Sequence, residues 1–203
     1  PMQLSPEQLS ANGYRFQSSI RFESINQFVQ DRLQRGGALL RLYWLCVVAS
    51  VFAMSHVLWK QDIVTLDLLA GGIGFGLAGF LVIVLPAHEA IHGITYKLLG
   101  APSISFHADW KRMFFFAAAD RFVLNRREFI LVAAAPFILL TIGLLAAQFF
   151  TNGMLQLAIA TNLVLHTGGC IGDFTLVAYS MSLGEKFCTY DDLQKQETFF
   201  YQK

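Results

Sequence analysis

"LLAGGIGFGLAGFLVIVLPAHEAIHGITYKLL", residues 68–99, decides what kind of molecule this chain is. Residues 68–87 carry no polar side chain, and the run then delivers His88, Glu89 and His92 in H-E-x-x-H spacing. Such a run exceeds the roughly 20 residues that a helix needs to cross a bilayer. A soluble enzyme would hold this cluster in a cleft. Here its neighbours are Leu81, Val82, Ile83, Val84 and Leu85, so the histidines sit at the end of an apolar span.

Composition agrees with a membrane setting. Of 203 residues, 55% are hydrophobic and only 14% charged, whereas soluble domains carry about 25% charged residues. Cys46, Cys170 and Cys188 are odd in number and lack C-x-x-C spacing, which argues against a disulfide scaffold and against a cysteine zinc site. They read as buried thiols. Residues 1–37 are polar and hold four arginines, so insertion is expected to rely on the internal spans rather than on a cleaved leader.

Four apolar segments are long enough to span, Leu42 to Trp59, Leu68 to Leu99, Phe129 to Phe150, and Met154 to Met181. Only Thr151 to Gly153 separate the last two, which predicts a helical hairpin. With four crossings, 14 of the 15 Lys and Arg residues fall on one side, and Lys60 alone lies opposite. That asymmetry places both termini in the cytoplasm. The expected fold is therefore an all-α polytopic membrane protein with residues 38–181 as its membrane domain. Residues 1–37 form a cytoplasmic segment before it and residues 182–203 a cytoplasmic tail.

Two stretches outside the spans show periodicity. Ile25, Phe28, Val29 and Leu33 share one helical face within residues 24–37, Ser24 and Gln27 have capping-box spacing, and Gly36-Gly37 can end the helix. An interfacial helix is expected there. Between the second and third spans, Ile104, Phe106, Ala108 and Trp110 alternate at period two, predicting a short β-hairpin that turns near Trp110 to Arg112.

The H-E-x-x-H pattern has a chemical logic. On a helix, positions i and i+4 share a face, so His88 and His92 can both address one zinc ion. Zinc lowers the pKa of its water to about 7, and Glu89 beside the histidines can take the proton. Ionisable groups inside spans are costly and usually functional. Glu89 and Asp173 are the only carboxylates well inside the spans. A catalytic zinc takes three protein ligands, so His166 and Asp173 compete for the third position. They are seven residues apart and would face the same way on a continuous helix. At 1.5 Å per residue, His88 lies about 30 Å into its span, Asp173 about 28 Å into the fourth and His166 about 18 Å, which favours Asp173. His166 and Asn162 then remain as substrate or oxyanion contacts, or as helix-packing polar residues. His107 reads as an interfacial residue and His56 as unrelated to the site.

These features resemble a known family. A membrane-embedded His88-Glu89-x-x-His92, a β-like stretch after it, "AAAPF" at 133–137 and Gly172-Asp173 are similar to the site-2 protease class of intramembrane zinc metalloproteases. More closely, the chain resembles the small bacterial zincin peptidases long catalogued as a domain of unknown function. The resemblance covers residues 40–181. It implies Asp173 as third ligand, Asn162 as a distant counterpart of the class asparagine, and a β-stretch that pairs with an extended substrate. The chain departs from that class in having no proline between Asn162 and Asp173, with Gly172 before the aspartate and Phe174 after it.

The expectation is a zinc-dependent metallopeptidase in a bacterial inner membrane, acting on a membrane protein or peptide substrate in the lipid bilayer, with no nucleic-acid partner. The main alternative is a non-proteolytic metal-binding membrane protein such as a sensor, chaperone or scaffold. A small transporter fits less well, because an ion path has no need of Glu89 as a base and no repeat is evident.

Overall fold

The computed structural model describes residues 4–61, 63–111 and 114–203. In chain order the elements are helix α1 (Gln8–Ala11), strand β1 (Arg15–Arg21), helix α2 (Ile25–Arg35) and helix α3 (Ala38–Trp59). Helix α4 (Leu66–Gly79) runs through a π-helical turn (Phe80–Val84) into α5 (Leu85–Leu98). Strands β2 (Ser105–Asp109), β3 (Phe114–Ala118) and β4 (Leu124–Asn125) lead to helix α6 (Arg126–Phe149). Helices α7 (Gly153–Gly169) and α8 (Ile171–Ser182) precede strands β5 (Phe187–Asp192) and β6 (Glu197–Gln202).

Four helical segments are long and apolar enough to cross a membrane, Ala38–Trp59, Leu66–Leu98, Arg126–Phe149 and Gly153–Ser182. Each lies within a few residues of its expected bounds. Their outward side chains are large and apolar, among them Leu45, Phe52, Phe75 and Val82, all about two-thirds exposed or more. Such a surface is consistent with an integral membrane protein. Two features differ from expectation. The second span contains the π turn, a local register change of the kind found at functional sites. The fourth is two helices, because α7 ends at a non-helical Cys170 (φ −70°, ψ 7°) and α8 starts afresh at Ile171. His166 and Asp173 therefore do not lie on one continuous helix.

The expectation of an all-α fold is corrected. Besides the predicted β2–β3 hairpin, a four-stranded antiparallel sheet has the order β1-β6-β5-β4. Residues from before the first span, between the second and third, and after the fourth thus share one sheet. Tyr190 against Phe199 and Phe199 against Thr189's hydroxyl tie β5 to β6. The pairing of β1 with β6 joins residues far apart in sequence, so no local signal announces it. The predicted turn at Trp110 to Arg112 lies partly outside the described residues.

Two compact units divide the chain. One comprises Pro1–Gly37, Glu89–Ala135 and Asp173–Lys203, and holds both sheets. Helix α2 forms as expected and ends at Gly36, whose φ of 66° suits glycine. The capping box does not form, since Ser24 Oγ turns back to the Arg21 carbonyl. Phe28 and Arg32 of α2 both pack on the Tyr179 ring of α8. A second cluster, Leu9, Val123, Cys188 and Tyr190, fills the space against the sheet.

The other unit, Ala38–His88 with Pro136–Gly172, is helical. Helix α4 lies close along α7 because its glycines leave room. A Cβ on Gly72 would stand 2.6 Å from Leu157, and one on Gly76 would stand 2.5 Å from Thr161. The glycine-rich segment is thus a packing surface, as small residues between membrane helices commonly are. A Cβ on Gly74 would meet nothing within 4 Å. Gly76→Ala is accordingly expected to destabilise the protein by about 1–3 kcal/mol through overpacking. Gly74→Ala should leave the melting temperature unchanged or slightly higher, given alanine's better helix propensity. Thermal melting in detergent micelles compares the two, and equal behaviour would contradict the close approach.

Asp191 carries a pH dependence. Removal from water pushes its carboxyl up to about 6, with Asp120's charge adding to the rise and hydrogen bonds from Thr198 and Tyr96 opposing it. Its unfolded value is 3.8, so between about pH 4 and 6 the folded state binds more protons and stability falls as pH rises. Asp191→Asn should flatten that part of the stability profile. A slope unchanged in the variant would show that Asp191 is not its source.

Candidate metal centre

The site is built from α5 outward. Helix α5 is unbroken from Leu85 to Leu98, so His88 and His92 lie one turn apart on one face, with Glu89 between them. His92 is buried at 8% exposure and its ring is held from behind. Nδ1 lies 2.9 Å from the Val132 carbonyl of α6. A carbonyl can only accept, so Nδ1 carries the proton and donates, leaving Nε2 to face forward. This is the partnering that fixes tautomer and direction in metal-bound histidines.

The Val132 carbonyl is available for a reason legible in the chain. In a helix it would accept from the N–H four residues on, which is position 136. That residue is Pro136, inside α6, and proline has no N–H to give. The carbonyl released by Pro136 is the one His92 uses. The signal in the sequence is the i, i+4 relation between Val132, just before "AAAPF", and the Pro136 within it.

Asp173 lies in the first turn of α8 and turns its carboxylate towards His92, with Oδ1 3.5 Å from Nε2. That gap is too long for a good hydrogen bond. It suits two ligands on one ion, because donors each about 2 Å from a tetrahedral zinc stand about 3.3 Å apart. A carboxylate oxygen and an imidazole nitrogen form a donor set that zinc accepts. These residues therefore fit the metal.

The rival third ligand has a different companion. His166, 2% exposed on α7, meets His88 with ring centroids 5.5 Å apart at a steep angle. Cys170 Sγ lies 3.8 Å from His166 Nδ1 and 4.0 Å from His88 Nδ1. Asp173 thus meets His92, while His166 and Cys170 meet His88. Cys170 is the expected buried thiol at 1% exposure, Cys188 is buried too at 3%, and Cys46 is half-buried. The overlooked signal was its place four residues after His166, the same helical spacing as in H-E-x-x-H.

The remaining candidates lie apart from these contacts. Asn162 sits one turn before His166 and donates from Nδ2 to the Ala158 carbonyl at 2.8 Å, with its buried Oδ1 unmatched among the described residues. His107 stacks on Phe116 across the hairpin and meets Ser105 Oγ at 3.1 Å. His56 is in the last turn of α3.

If Pro136 positions His92 by releasing Val132, Pro136→Ala restores a helix donor that competes for that carbonyl. The variant should bind zinc about 10- to 100-fold more weakly, the usual cost of losing a metal ligand's supporting partner. It should melt no lower than wild type, since alanine suits a helix interior better than proline. A competition assay with a chelator reads the affinity, and unchanged zinc binding would sever Pro136 from the site.

No curated protein and no solved structure is significantly similar to this chain. A family model described as "Putative zincin peptidase" matches residues 81–186, a segment that contains the H-E-x-x-H motif, the Val132 carbonyl, His166, Cys170 and Asp173. Zincins are zinc metallopeptidases, which agrees with the donor set on α5 and α8. The chain belongs to this zincin peptidase family.

Proposed function

We propose that the protein is a membrane-embedded, site-2-protease-like zinc metallopeptidase that cleaves membrane-associated protein or peptide substrates. The observation that carries this reading is His92, whose Nδ1 is engaged by Val132 while Nε2 faces Asp173 at 3.5 Å. His88, His92 and Asp173 would hold the ion. When bound, zinc supplies a Lewis acid that polarises the scissile carbonyl and brings the pKa of a water to about 7. Glu89, next to His88 on α5, is not needed as a ligand and is placed to act as a base. It takes the proton of the attacking water and returns it to the leaving amine, which must depart neutral. Val132 holds His92 in one orientation through Nδ1, and Asp173 stands on the other side of the ring.

The setting supports an intramembrane site. The His88 and Asp173 elements belong to helical segments apolar enough to span. One sheet cannot straddle a bilayer, because its backbone hydrogen bonds join neighbouring strands directly. Strands β1, β4, β5 and β6 therefore support a single side for the N-terminal segment, the second connection and the C-terminal segment. The Lys and Arg distribution supports the cytoplasmic side, in a bacterial inner membrane.

The test uses Glu89→Gln in cells that co-express a single-span substrate. The variant should keep one zinc per chain and lose cleavage by at least about 100-fold. Asp173→Ala should lose the ion held by the His88, His92 and Asp173 set. Equal processing by wild type and Glu89→Gln would replace the protease reading with a non-proteolytic metal-binding protein.

A further inference from the structure

We propose that His88, His166 and Cys170 form a second metal seat, one that takes a thiophilic ion such as zinc, cadmium or cuprous copper through a thiolate. Their candidate ligand atoms all lie within 4.8 Å of one another. Two independent helices converge to make the cluster. His88 comes from α5, and His166 with Cys170 from the end of α7, where the break in the fourth span sets the thiol.

The geometry suits a mixed imidazole and thiolate set. A nitrogen at about 2.0 Å and a sulfur at about 2.3 Å from a tetrahedral zinc stand about 3.5 Å apart. Cys170 Sγ is 3.8 Å from His166 Nδ1, 3.9 Å from its Nε2 and 4.0 Å from His88 Nδ1. The sulfur-to-nitrogen separations exceed that value by only about 0.3–0.5 Å. Cys170 and His166 are almost fully buried, at 1% and 2% exposure. A soft thiolate donor distinguishes this seat from the carboxylate-containing set at His92, because sulfur ligands select zinc and soft ions.

The break that sets Cys170 is itself supported. The Cys170 N–H donates to the His166 carbonyl at 3.1 Å, and the Tyr43 hydroxyl donates to the Gly168 carbonyl at 2.8 Å. Ser50 and Thr167 hydroxyls meet at 2.8 Å one residue earlier. These bonds tie α3 to the end of α7 and hold the thiol beside both imidazoles. His88 belongs to both donor sets, so an ion seated at Cys170 and an ion held with His92 and Asp173 draw on the same imidazole. Occupation of the thiolate seat would then withdraw His88 from the catalytic set. That consequence rests on the protease reading; the seat itself does not.

The test loads the detergent-solubilised full chain with Co²⁺ and records the near-ultraviolet thiolate-to-cobalt charge-transfer band, which a carboxylate and imidazole site cannot produce. The band should appear in the Cys46→Ser/Cys188→Ser double variant, whose only thiol is Cys170. It should also appear in Asp173→Asn, where the carboxylate set is disabled, and vanish in Cys170→Ser. Absence of the band from both the double variant and Asp173→Asn would overturn the proposal, as would its persistence in Cys170→Ser. Loss of proteolysis in Asp173→Asn with the band retained keeps the two readings separate.

Discussion

Polar groups in an apolar surrounding have no water to fall back on, and this constraint shapes every functional contact in the chain. An unmatched backbone or side-chain group costs several kcal/mol in hydrocarbon. Helices satisfy their own backbone, so any departure from helical bonding creates a group that must be met elsewhere. Pro136 creates one such group at the Val132 carbonyl, and His92 meets it. The end of α7 creates another at Gly168, and the Tyr43 hydroxyl meets that. The interruptions in the spans are the places where specific polar side chains are fixed.

The same logic explains why the site can be stiff without a large core. His92 is held through its ring nitrogens by a carbonyl on one side, and a carboxylate stands on the other. Neither contact depends on a long flexible side chain. Close packing adds to this, since α4 and α7 meet at Gly72 and Gly76 with no space for a methyl group. Thr161 answers Gly76 while its hydroxyl bonds the Leu157 carbonyl, so the apolar contact leaves no polar group stranded.

Much of this was legible in one dimension. The H-E-x-x-H spacing, the four apolar runs and the α2 face depend on periodicity along a single element, which sequence displays directly. The β2–β3 hairpin was legible for the same reason. Asp173 stood out as the scarce charge in a long apolar run, and the structure sets it beside His92. What escaped were pairings between distant elements. The β1–β6 ladder joins Arg15 to Gln202, and neither strand's own pattern names its partner. Cys170 passed as a buried thiol because its companion His88 lies 82 residues away.

The sequence by itself determined four runs long and apolar enough to cross a membrane, and a helix that carries two imidazoles and a carboxylate on neighbouring positions, because each follows from local composition or from the 3.6-residue period. Only the tertiary structure decided that Asp173 stands with His92 and His166 with His88. It also decided that Pro136 matters through the carbonyl it releases, and that both ends of the chain close one sheet. These depend on where separate helices and strands meet, and contact across elements is set by packing in three dimensions rather than by spacing along the chain.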